Sequence, residues 1–467
     1  MQIISFASIA ILARLLTPAE IGVYAVAASV AFLAIEMRAL GAGQYLIREA
    51  EIDNHKIQSA TGLMIVISWS MAAIIAISAP YIADFYKEQA LVIIFWVIAS
   101  SFLFAPFSTV PSAILTRNMR FKTLFVIRFT SSIVRSGSTI GFVLLGYSYY
   151  GLAMGVLAGA ITEVILNSYY RAPGIPWLPS FSKFKDLFRF GAYTSTATTL
   201  EQFSLSIPDL VLGRLATMTD VGLFSRGLGI VAFLNKIIVQ AVAPVVLPHL
   251  SEVKRKGESV SDAYLHAMVL QTSFSWPVFA IVNLSAFSMI RALFGNQWDA
   301  AIPIASILAI WAMLEATHSL SSHALISMQR EKLMLKKEAI IFSIRLVGVI
   351  LATPYGMLMV AWSMVLTGVI SLLINTQILK MSVGIGFRAQ FSALLPSALV
   401  AILCWVGLKL ISGFIDFTVL NSWLSLAIIG VCMAVIWLTG LRLTHHALWQ
   451  YVQPFFSRFI PGDSPKS

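Results

Sequence analysis

Apolar residues along this 467-residue chain form long continuous runs that are separated by short polar segments. A helix needs about 20 apolar residues to cross the hydrocarbon core of a bilayer, and about fourteen runs meet or approach that length. Strands of a membrane barrel would alternate apolar and polar residues, so continuous runs indicate helices. The predicted transmembrane helices lie near residues 2–16, 22–46, 58–82, 90–110, 123–145, 150–170, 191–213, 221–245, 265–289, 300–320, 338–353, 357–379, 391–411 and 420–441.

One polar turn between two apolar runs occurs twice. Leu12–Tyr24 reads LARLLTPAEIGVY and Leu212–Phe224 reads LGRLATMTDVGLF, so Leu, Arg, Leu, Thr and Gly coincide without a gap. A long-period repeat predicts two similar halves. An even number of helices in each half keeps both copies in the same orientation, which predicts a pseudo-twofold axis along the membrane normal.

The repeat and the loops together predict the organisation of the chain. The expected fold is an all-α polytopic membrane protein of two six-helix bundles with two extra C-terminal helices. The predicted segments are an N-terminal bundle (1–172), a cytoplasmic interfacial linker helix (173–190), a second bundle (191–380), transmembrane helices 13 and 14 (390–441) and a cytoplasmic tail (442–467).

Composition agrees with this class. Hydrophobic residues make up 58% of the chain and charged residues 11%, whereas soluble domains carry about 25% charged residues. The two cysteines provide neither a disulfide framework nor the spacing of a metal site. No basic segment precedes the first run, which is only about 15 residues long, so we expect either a truncated first helix or a start further upstream.

The distribution of basic residues predicts the orientation. With a cytoplasmic N-terminus, about twenty-one Lys and Arg residues fall in the inner loops and tail, against Lys87 and Arg291 in the outer loops. The positive-inside rule then predicts that both termini are cytoplasmic. The net charge of +11 is therefore attributed to contact with anionic membrane lipid, and no nucleic-acid partner is expected.

Ionisable residues inside the predicted helices are the candidate functional residues, because a charge within the bilayer is costly. Bases outnumber acids among them, which favours an anionic head group such as phosphate or pyrophosphate. Arg offers phosphate oxygens a planar fork, and Lys a point charge. The set comprises Glu36, Arg38, Arg128, Arg135, Glu163, Glu201, Asp209, Arg226, Lys236, Glu315 and Arg345.

Several of these residues have alternative interpretations. Glu36 and Lys236 correspond at an offset of 200 residues, and they either line equivalent walls of one cavity or pair with neighbouring helices. Asp209 follows Pro208, which removes a backbone hydrogen bond. Its carboxylate therefore either binds H⁺ or Na⁺ or forms a structural pair with Arg214.

Arg135 and Arg345 are the deepest of the other bases, and each either binds cargo or pairs with Glu163 or Glu315. The chain has no Walker motif, GxGxxG loop, HExxH helix or nucleophile elbow in a usable position. We therefore expect a protein that is not an enzyme, without nucleotide, metal or organic cofactor, although an H⁺ or Na⁺ gradient could drive it.

Four stretches carry a family resemblance: LARLLTPAEIGVYAVA at the first turn, AILTRNMRFK at 113–122, FRFGAY at 188–193 and PDLVLGRLATMTDVGLFSRG at 208–227. In this order they resemble polysaccharide (O-antigen and exopolysaccharide) flippases of the Wzx type in the MOP superfamily, especially the colanic-acid-exporter-like branch. The first helix is shorter here than in relatives. The resemblance implies an alternating-access flippase for undecaprenyl-pyrophosphate-linked oligosaccharide in the bacterial inner membrane, acting in lipopolysaccharide or exopolysaccharide synthesis beside a polysaccharide polymerase complex.

The resemblance also implies roles for individual residues, because in the superfamily the first, second, seventh and eighth helices line the cavity. The expected pyrophosphate ligands are Arg38, Lys236 and Arg226, with Arg135 and Arg345 as further bases. The expected residues for ion coupling or gating are Asp209, Glu36 and Glu201.

Other functions of the same architecture remain open at this stage. A multidrug or cation antiporter would share the fold, but cationic cargo favours acids in the cavity. A lipid II flippase differs only in cargo. A polymerase or ligase of the same pathway would need a sizeable outer catalytic loop, and no predicted outer loop exceeds about a dozen residues.

Overall fold

The computed structural model describes residues 2–38, 46, 53–171, 179–180 and 192–457, and all regular elements within these ranges are helices. The predicted linker helix at 173–190 lies outside the described residues, apart from 179–180, and stays a prediction. The described contacts divide the chain into two compact units, residues 1–225 and 226–467.

The described part of the first unit contains eight helices and the start of a ninth. In it, α3 packs on α4, and α6 packs on both α4 and α5. The helices are α1 (Gln2–Leu15), α2 (Pro18–Arg38), α3 (Asn54–Tyr86), α4 (Ala90–Arg117), α5 (Phe121–Phe142), α6 (Ser148–Tyr169), α7 (Ala192–Ser204), α8 (Ile207–Leu215) and the first turns of α9 (Met218–Lys256).

Up to residue 457, where the described part of the chain ends, the second unit contains the remainder of α9 and eight further helices. Its centre is formed by α10, which packs on α11 and α15, and by α14, which packs on α11 and α13. The helices are α10 (Val260–Leu293), α11 (Ile302–His318), α12 (Ser321–Ser327), α13 (Glu331–Ala352), α14 (Met357–Val383), α15 (Phe387–Phe414), α16 (Ser422–Leu443) and α17 (Ala447–Ser457).

Within the described ranges, eleven helical stretches are long and apolar enough to cross a membrane. One of them, residues 121–169, contains both α5 and α6, because a π-helical turn at Val143–Tyr147 joins the two helices. The helix α1 is shorter than a span, and the predicted seventh span is interrupted between α7 and α8. An all-helical chain with many spans is thus confirmed, whereas the count of fourteen and the two six-helix bundles stay predictions.

Short polar side chains between the apolar runs start several of these helices. The Asp53 carboxylate accepts a hydrogen bond from Lys56 N at 2.7 Å and caps α3. The Asn421 side chain accepts from Trp423 N at 3.0 Å and caps α16. Because these caps satisfy backbone N–H groups that have no partner within the helix, the apolar run can enter the bilayer as a helix from its first turn.

A buried histidine holds the C-terminal helix against the second unit. His446 is 1% exposed, and its Nδ1 accepts a hydrogen bond from Leu448 N at 3.0 Å, so Nε2 carries the proton. Nε2 lies 3.0 Å from Ser397 Oγ on α15, which also accepts from Thr272 Oγ1 on α10 at 3.1 Å. Burial lowers the pKa of His446, which keeps the imidazole neutral in this network.

The network makes the stability of the second unit depend on pH. The pKa of His446 is lower in the folded protein than in the unfolded chain, where it is about 6.5, so the unfolded chain takes up the proton first. This contribution to stability is fully present above pH 6.5 and decreases as the pH falls, by at most about 1.4 kcal/mol per pH unit. We expect thermal unfolding in detergent to show a smaller loss of stability between pH 7.5 and 5.5 for His446→Gln than for the parent.

The neighbouring exposed His445 provides the control. It has φ 48°, a conformation that Asn tolerates, so His445→Asn is expected to keep the pH dependence of the parent. Equal pH dependence of His446→Gln and the parent would contradict the assignment.

Candidate functional site

The two repeated turns have the same hydrogen bonds. Thr17 N donates to Glu20 Oε2 at 2.7 Å, and Glu20 N donates to Thr17 Oγ1 at 3.3 Å. Thr217 N donates to Asp220 Oδ2 at 3.0 Å, and Asp220 N donates to Thr217 Oγ1 at 3.2 Å. Each turn is therefore a capping box, and α2 and α9 begin with the same local structure.

The two turns also lie against each other, backbone to backbone. A Cβ atom on Gly22 would lie 1.8 Å from the carbonyl oxygen of Met218, and a Cβ on Gly222 would lie 1.9 Å from the carbonyl oxygen of Pro18. The same pair of positions, 200 residues apart, exchanges roles in the two contacts, so the contact has local twofold symmetry. No side chain larger than hydrogen fits at either glycine.

Asp209 lies in the first turn of α8, directly after Pro208 and close to the interruption between α7 and α8. The Ser29 hydroxyl on α2 donates to Asp209 Oδ2 at 3.2 Å, and the Asp209 side chain is half-buried. A half-buried carboxylate beside an interrupted helix has the chemistry to bind a proton or a small cation. Its role in ion coupling stays a prediction.

The other acids and bases predicted in the first half lie in different places. Arg214, the alternative partner of Asp209, has its Cζ 4.9 Å from the centre of the Phe85 ring. Glu201 is half-buried on α7. Glu36 and Arg38 belong to the last turn of α2, and their side chains lie outside the part of the chain that the structure describes.

Arg135 is exposed on α5, at a place where α6 comes close. A Cβ on Gly159 would lie 2.9 Å from Arg135 Nε, so the guanidinium stem occupies space that this glycine leaves open. An exposed guanidinium inside a membrane-spanning stretch requires water, a polar group or an anion beside it.

Two predicted bases share helix α9. The Arg226 guanidinium lies over two rings, with Cζ 5.6 Å from the centre of Phe294 and 5.5 Å from that of Trp298. Lys236 is exposed, as is Gln240, which lies one turn further on the same face. This face of α9 is unsuited to lipid, because a charged side chain in the hydrocarbon core is costly.

Arg345 lies in a buried ion pair in the second unit. Its side chain is 3% exposed, and its Nη2 lies 2.6 Å from Glu315 Oε1. The guanidinium also lies over Trp311, with Cζ 5.4 Å from the ring centre. Of the two sequence-based alternatives for Arg345, the structure thus contains the pair with Glu315. Binding of pyrophosphate there stays a prediction, and it would require this pair to open.

Lys337 is buried on α13 near the same ion pair. It is 2% exposed, and its Nζ lies 2.7 Å from Glu338 Oε1. It also donates to Ser321 Oγ at 3.1 Å and to Asn375 Oδ1 at 3.2 Å. The cost of burying this cation is therefore offset by a carboxylate and by neutral acceptors.

His318 and Ser371 link the two ion pairs. His318 Nε2 lies 3.5 Å from Glu315 Oε2 and 3.2 Å from Ser371 Oγ. Asn375 Nδ2 in turn donates to the Ser371 carbonyl oxygen at 2.9 Å. We call the resulting group the α11–α14 polar cluster: Glu315, His318, Ser321, Ser322, Lys337, Glu338, Arg345, Ser371 and Asn375.

Most of this cluster was missed in the sequence. Lys337 directly precedes the predicted span at 338–353 and so belongs to a predicted inner loop, and the candidate set contains none of His318, Glu338, Ser371 and Asn375. Lys next to a predicted loop normally faces water, so composition gives no reason to bury it. The only signal was the adjacent Glu338, which can neutralise Lys337.

Comparisons with known proteins connect this geometry to a family. The family model described as "Polysaccharide biosynthesis protein" matches residues 11–303. The teichuronic acid biosynthesis protein TuaB of Bacillus subtilis (strain 168) is 23% identical over 375 residues, which cover 77% of this chain and 75% of TuaB. The succinoglycan biosynthesis transport protein ExoT of Rhizobium meliloti (strain 1021) is 22% identical over 312 residues, which cover 66% of this chain and 62% of ExoT.

Solved structures show the same fold. The lipid II flippase MurJ in an inward closed conformation matches with a TM-score of 0.72 and 13% identity, covering 98% of this chain and 97% of that one. An inward-facing multidrug resistance MATE family transporter of the MOP superfamily matches with a TM-score of 0.64 and 14% identity, covering 82% and 95%. With the eleven candidate spans, these similarities indicate a multi-pass membrane protein.

The contact between the two turns gives a direct test. Gly22→Ala and Gly222→Ala each place a methyl group against a carbonyl oxygen that no rotamer change can move, and overpacking of this kind costs about 1–3 kcal/mol. We expect both variants to unfold at lower temperature than the parent in detergent, with a reduced yield of folded protein.

Gly229→Ala is the matched control on α9, because no atom lies within 4 Å of the added Cβ. Alanine is favoured over glycine inside a helix by roughly 1 kcal/mol, so this variant should be at least as stable as the parent. The close contact would be disproved if Gly22→Ala and Gly229→Ala had the same unfolding temperature.

Proposed function

This chain belongs to the polysaccharide biosynthesis protein family, and from that membership we propose that it is a flippase. It carries undecaprenyl-pyrophosphate-linked oligosaccharide repeat units across the bacterial inner membrane by alternating access, for the synthesis of a surface polysaccharide such as lipopolysaccharide or exopolysaccharide. The names of two relatives, a teichuronic acid biosynthesis protein and a succinoglycan biosynthesis transport protein, support a saccharide cargo.

The observation that carries the proposal is the exposed base on a spanning helix. Lys236 lies about half way along the apolar helix α9 and is exposed. A lysine at that depth is stable where it meets water or an anion and unstable against hydrocarbon. A pyrophosphate group supplies the anion, and the bound polyprenyl chain can remain in the lipid.

The two alternative functions, a multidrug antiporter and a lipid II flippase, differ from the proposed function in the cargo that is moved. A multidrug antiporter moves cations, which the bases Arg226 and Lys236 of α9 would repel. A lipid II flippase also moves a polyprenyl pyrophosphate and differs in the sugar. The family match favours polysaccharide precursors over both alternatives.

The remaining assignments belong to the same proposal. Arg38, Arg135 and Arg345 supply further positive charge for the pyrophosphate, and Asp209, Glu36 and Glu201 bind H⁺ or Na⁺ to couple transport to an ion gradient. Both termini lie in the cytoplasm, as the distribution of Lys and Arg favours. The protein works beside a polysaccharide polymerase, which consumes the repeat units that it delivers.

The proposal is tested by the sidedness of the lipid-linked repeat unit in cells that lack the protein. We expect the intermediate to accumulate on the cytoplasmic face, out of reach of a membrane-impermeant lectin or glycosidase. The parent gene should clear it, and Lys236→Ala should reduce the rate of clearance by about tenfold or more, because the loss of about 1.4 kcal/mol of binding to the phosphate already gives that factor.

Lys256→Ala is the control for Lys236→Ala. Lys256 is an exposed base at the end of the same helix, paired with Glu252 at 2.8 Å, and its loss should leave clearance within about twofold of the parent, as expected for a surface ion pair. An absence of accumulation, together with reduced efflux of cationic dyes, would instead establish the antiporter.

A further inference from the structure

In the α11–α14 polar cluster, one carboxylate lies close to two basic side chains. Glu315 Oε1 lies 2.6 Å from Arg345 Nη2, while its other oxygen, Oε2, lies 3.5 Å from His318 Nε2. The second distance is beyond a normal hydrogen bond, so Arg345 holds the carboxylate in this structure. His318 is in position to approach it.

His318 is a buried histidine whose hydrogen bonds among the described residues are incomplete. It is 7% exposed, and its Nδ1 has no hydrogen-bond partner among the described residues. A neutral imidazole carries one N–H and one lone pair. Nε2 faces the Glu315 carboxylate and the Ser371 hydroxyl, both of which can accept a hydrogen bond.

The charges around His318 are balanced before that proton arrives. Glu315 and Glu338 carry two negative charges, and Arg345 and Lys337 carry two positive charges. Among the residues that the structure describes, the other titratable neighbour is the half-buried His323 on α12, beside Lys337. The contacts from α10 and α14 come from neutral side chains, namely Gln271 on Ser319, Ser371 and Asn375.

One added proton disturbs this balance. A third positive charge in a buried cluster is costly unless an anion pairs with it. The nearest anion to His318 is Glu315, at the i−3 position of the same helix, and it is already paired with Arg345. A protonated His318 and Arg345 then repel each other across one carboxylate, so the cluster has two competing arrangements.

We propose that Glu315, His318 and Arg345 form a proton-controlled ion-pair switch. A proton from the aqueous phase adds to the lone pair of the His318 ring. The imidazolium then pairs with Glu315, and the ion pair between Glu315 and Arg345 breaks. The guanidinium is supported in the released state by the face of Trp311, 5.4 Å from its Cζ, and becomes available to an anion. Loss of the proton restores the Arg345–Glu315 pair.

The switch adds a site of proton coupling to the proposed function and rests on it only for the link to transport. It explains how Arg345, which is paired with Glu315 in this structure, can still bind a pyrophosphate. Its guanidinium becomes available to the anion only when His318 is protonated. It also places one coupling residue in the second unit, whereas the coupling residues predicted from the sequence all lie in the first unit.

Proton binding can be tested without transport. The protein is labelled with ¹⁵N-histidine, reconstituted in nanodiscs, and its imidazole resonances are followed by NMR between pH 5 and 9, with His318→Gln identifying the signal. We expect His318 to titrate. Glu315→Gln should lower its midpoint by removing the anion, and Arg345→Gln should raise it by removing the competing cation.

Arg345→Gln leaves a buried carboxylate unpaired and can fail to fold, so the double variant Glu315→Gln/Arg345→Gln is measured beside it. The double variant lacks both opposing effects, and its midpoint should lie between those of the two single variants. A His318 signal that stays neutral over the whole range, or that is insensitive to Glu315→Gln, would overturn the switch.

Transport supplies the second readout, in proteoliposomes that contain a fluorescent polyprenyl pyrophosphate-linked saccharide. The parent rate should change with pH by up to about tenfold per pH unit, as for one controlling proton, and His318→Gln should reduce this dependence to less than about twofold. His323→Gln, which alters a histidine of the same region that does not contact Glu315, should keep the parent profile.

The outcomes separate the two proposals. If His318→Gln flips the lipid with the same pH profile as the parent, the switch is wrong while the proposed function stands. If the parent does not flip the lipid, but His318 titrates and Glu315→Gln and Arg345→Gln shift its midpoint in opposite directions, the proton switch stands and the proposed function fails.

Discussion

The dominant constraint on this molecule is the free energy of placing charge inside an apolar bundle. A buried ion keeps its charge only if a partner and hydrogen bonds replace the water that it loses. Arg345 and Lys337 meet this condition through Glu315 and Glu338. Lys236 and Arg135, in contrast, are exposed on spanning helices and depend on water or an anion. The same physical rule therefore separates bases that are buried in ion pairs from bases that are exposed on spanning helices.

The two units contain different kinds of polar contact. The first contains the backbone contact at Gly22 and Gly222 and the half-buried Asp209 beside an interrupted helix. The second contains a chain of polar side chains that runs between four consecutive helices, from Arg345 to Lys337. One unit thus has a contact sensitive to the volume of a single methyl group, and the other has contacts sensitive to a single proton.

Much of the fold followed from the sequence because its determinants are local. Continuous apolar runs predicted helices, and the repeat at Leu12–Tyr24 and Leu212–Phe224 located two turns that prove to share a capping box. Pro208 lies in the first turn of the helix that follows the interruption between α7 and α8. Each of these features depends on residues a few positions apart, so one stretch of sequence is enough to see it.

The interior of the second unit could not be predicted in the same way. Lys337 lies near a predicted loop, and only the tertiary packing of α12 and α14 brings Ser321 and Asn375 to its ammonium group. The importance of His318 depends on Glu315, because Glu315 also pairs with Arg345. Glu315 and Arg345 lie 30 residues apart in the sequence. The sequence allows Arg345 either to pair with Glu315 or to bind an anionic cargo, and it contains no signal that decides between the two.

The contact between the two turns also limits how the halves of this chain can diverge. The atoms that exclude a side chain at Gly22 and Gly222 are the carbonyl oxygens of Met218 and Pro18, and every amino acid carries such an oxygen. A substitution at Met218 or Pro18 therefore cannot make room for a larger residue at the opposite glycine. After a duplication, the rest of the two copies is free to specialise, whereas these two positions stay tied to each other by the geometry of the main chain.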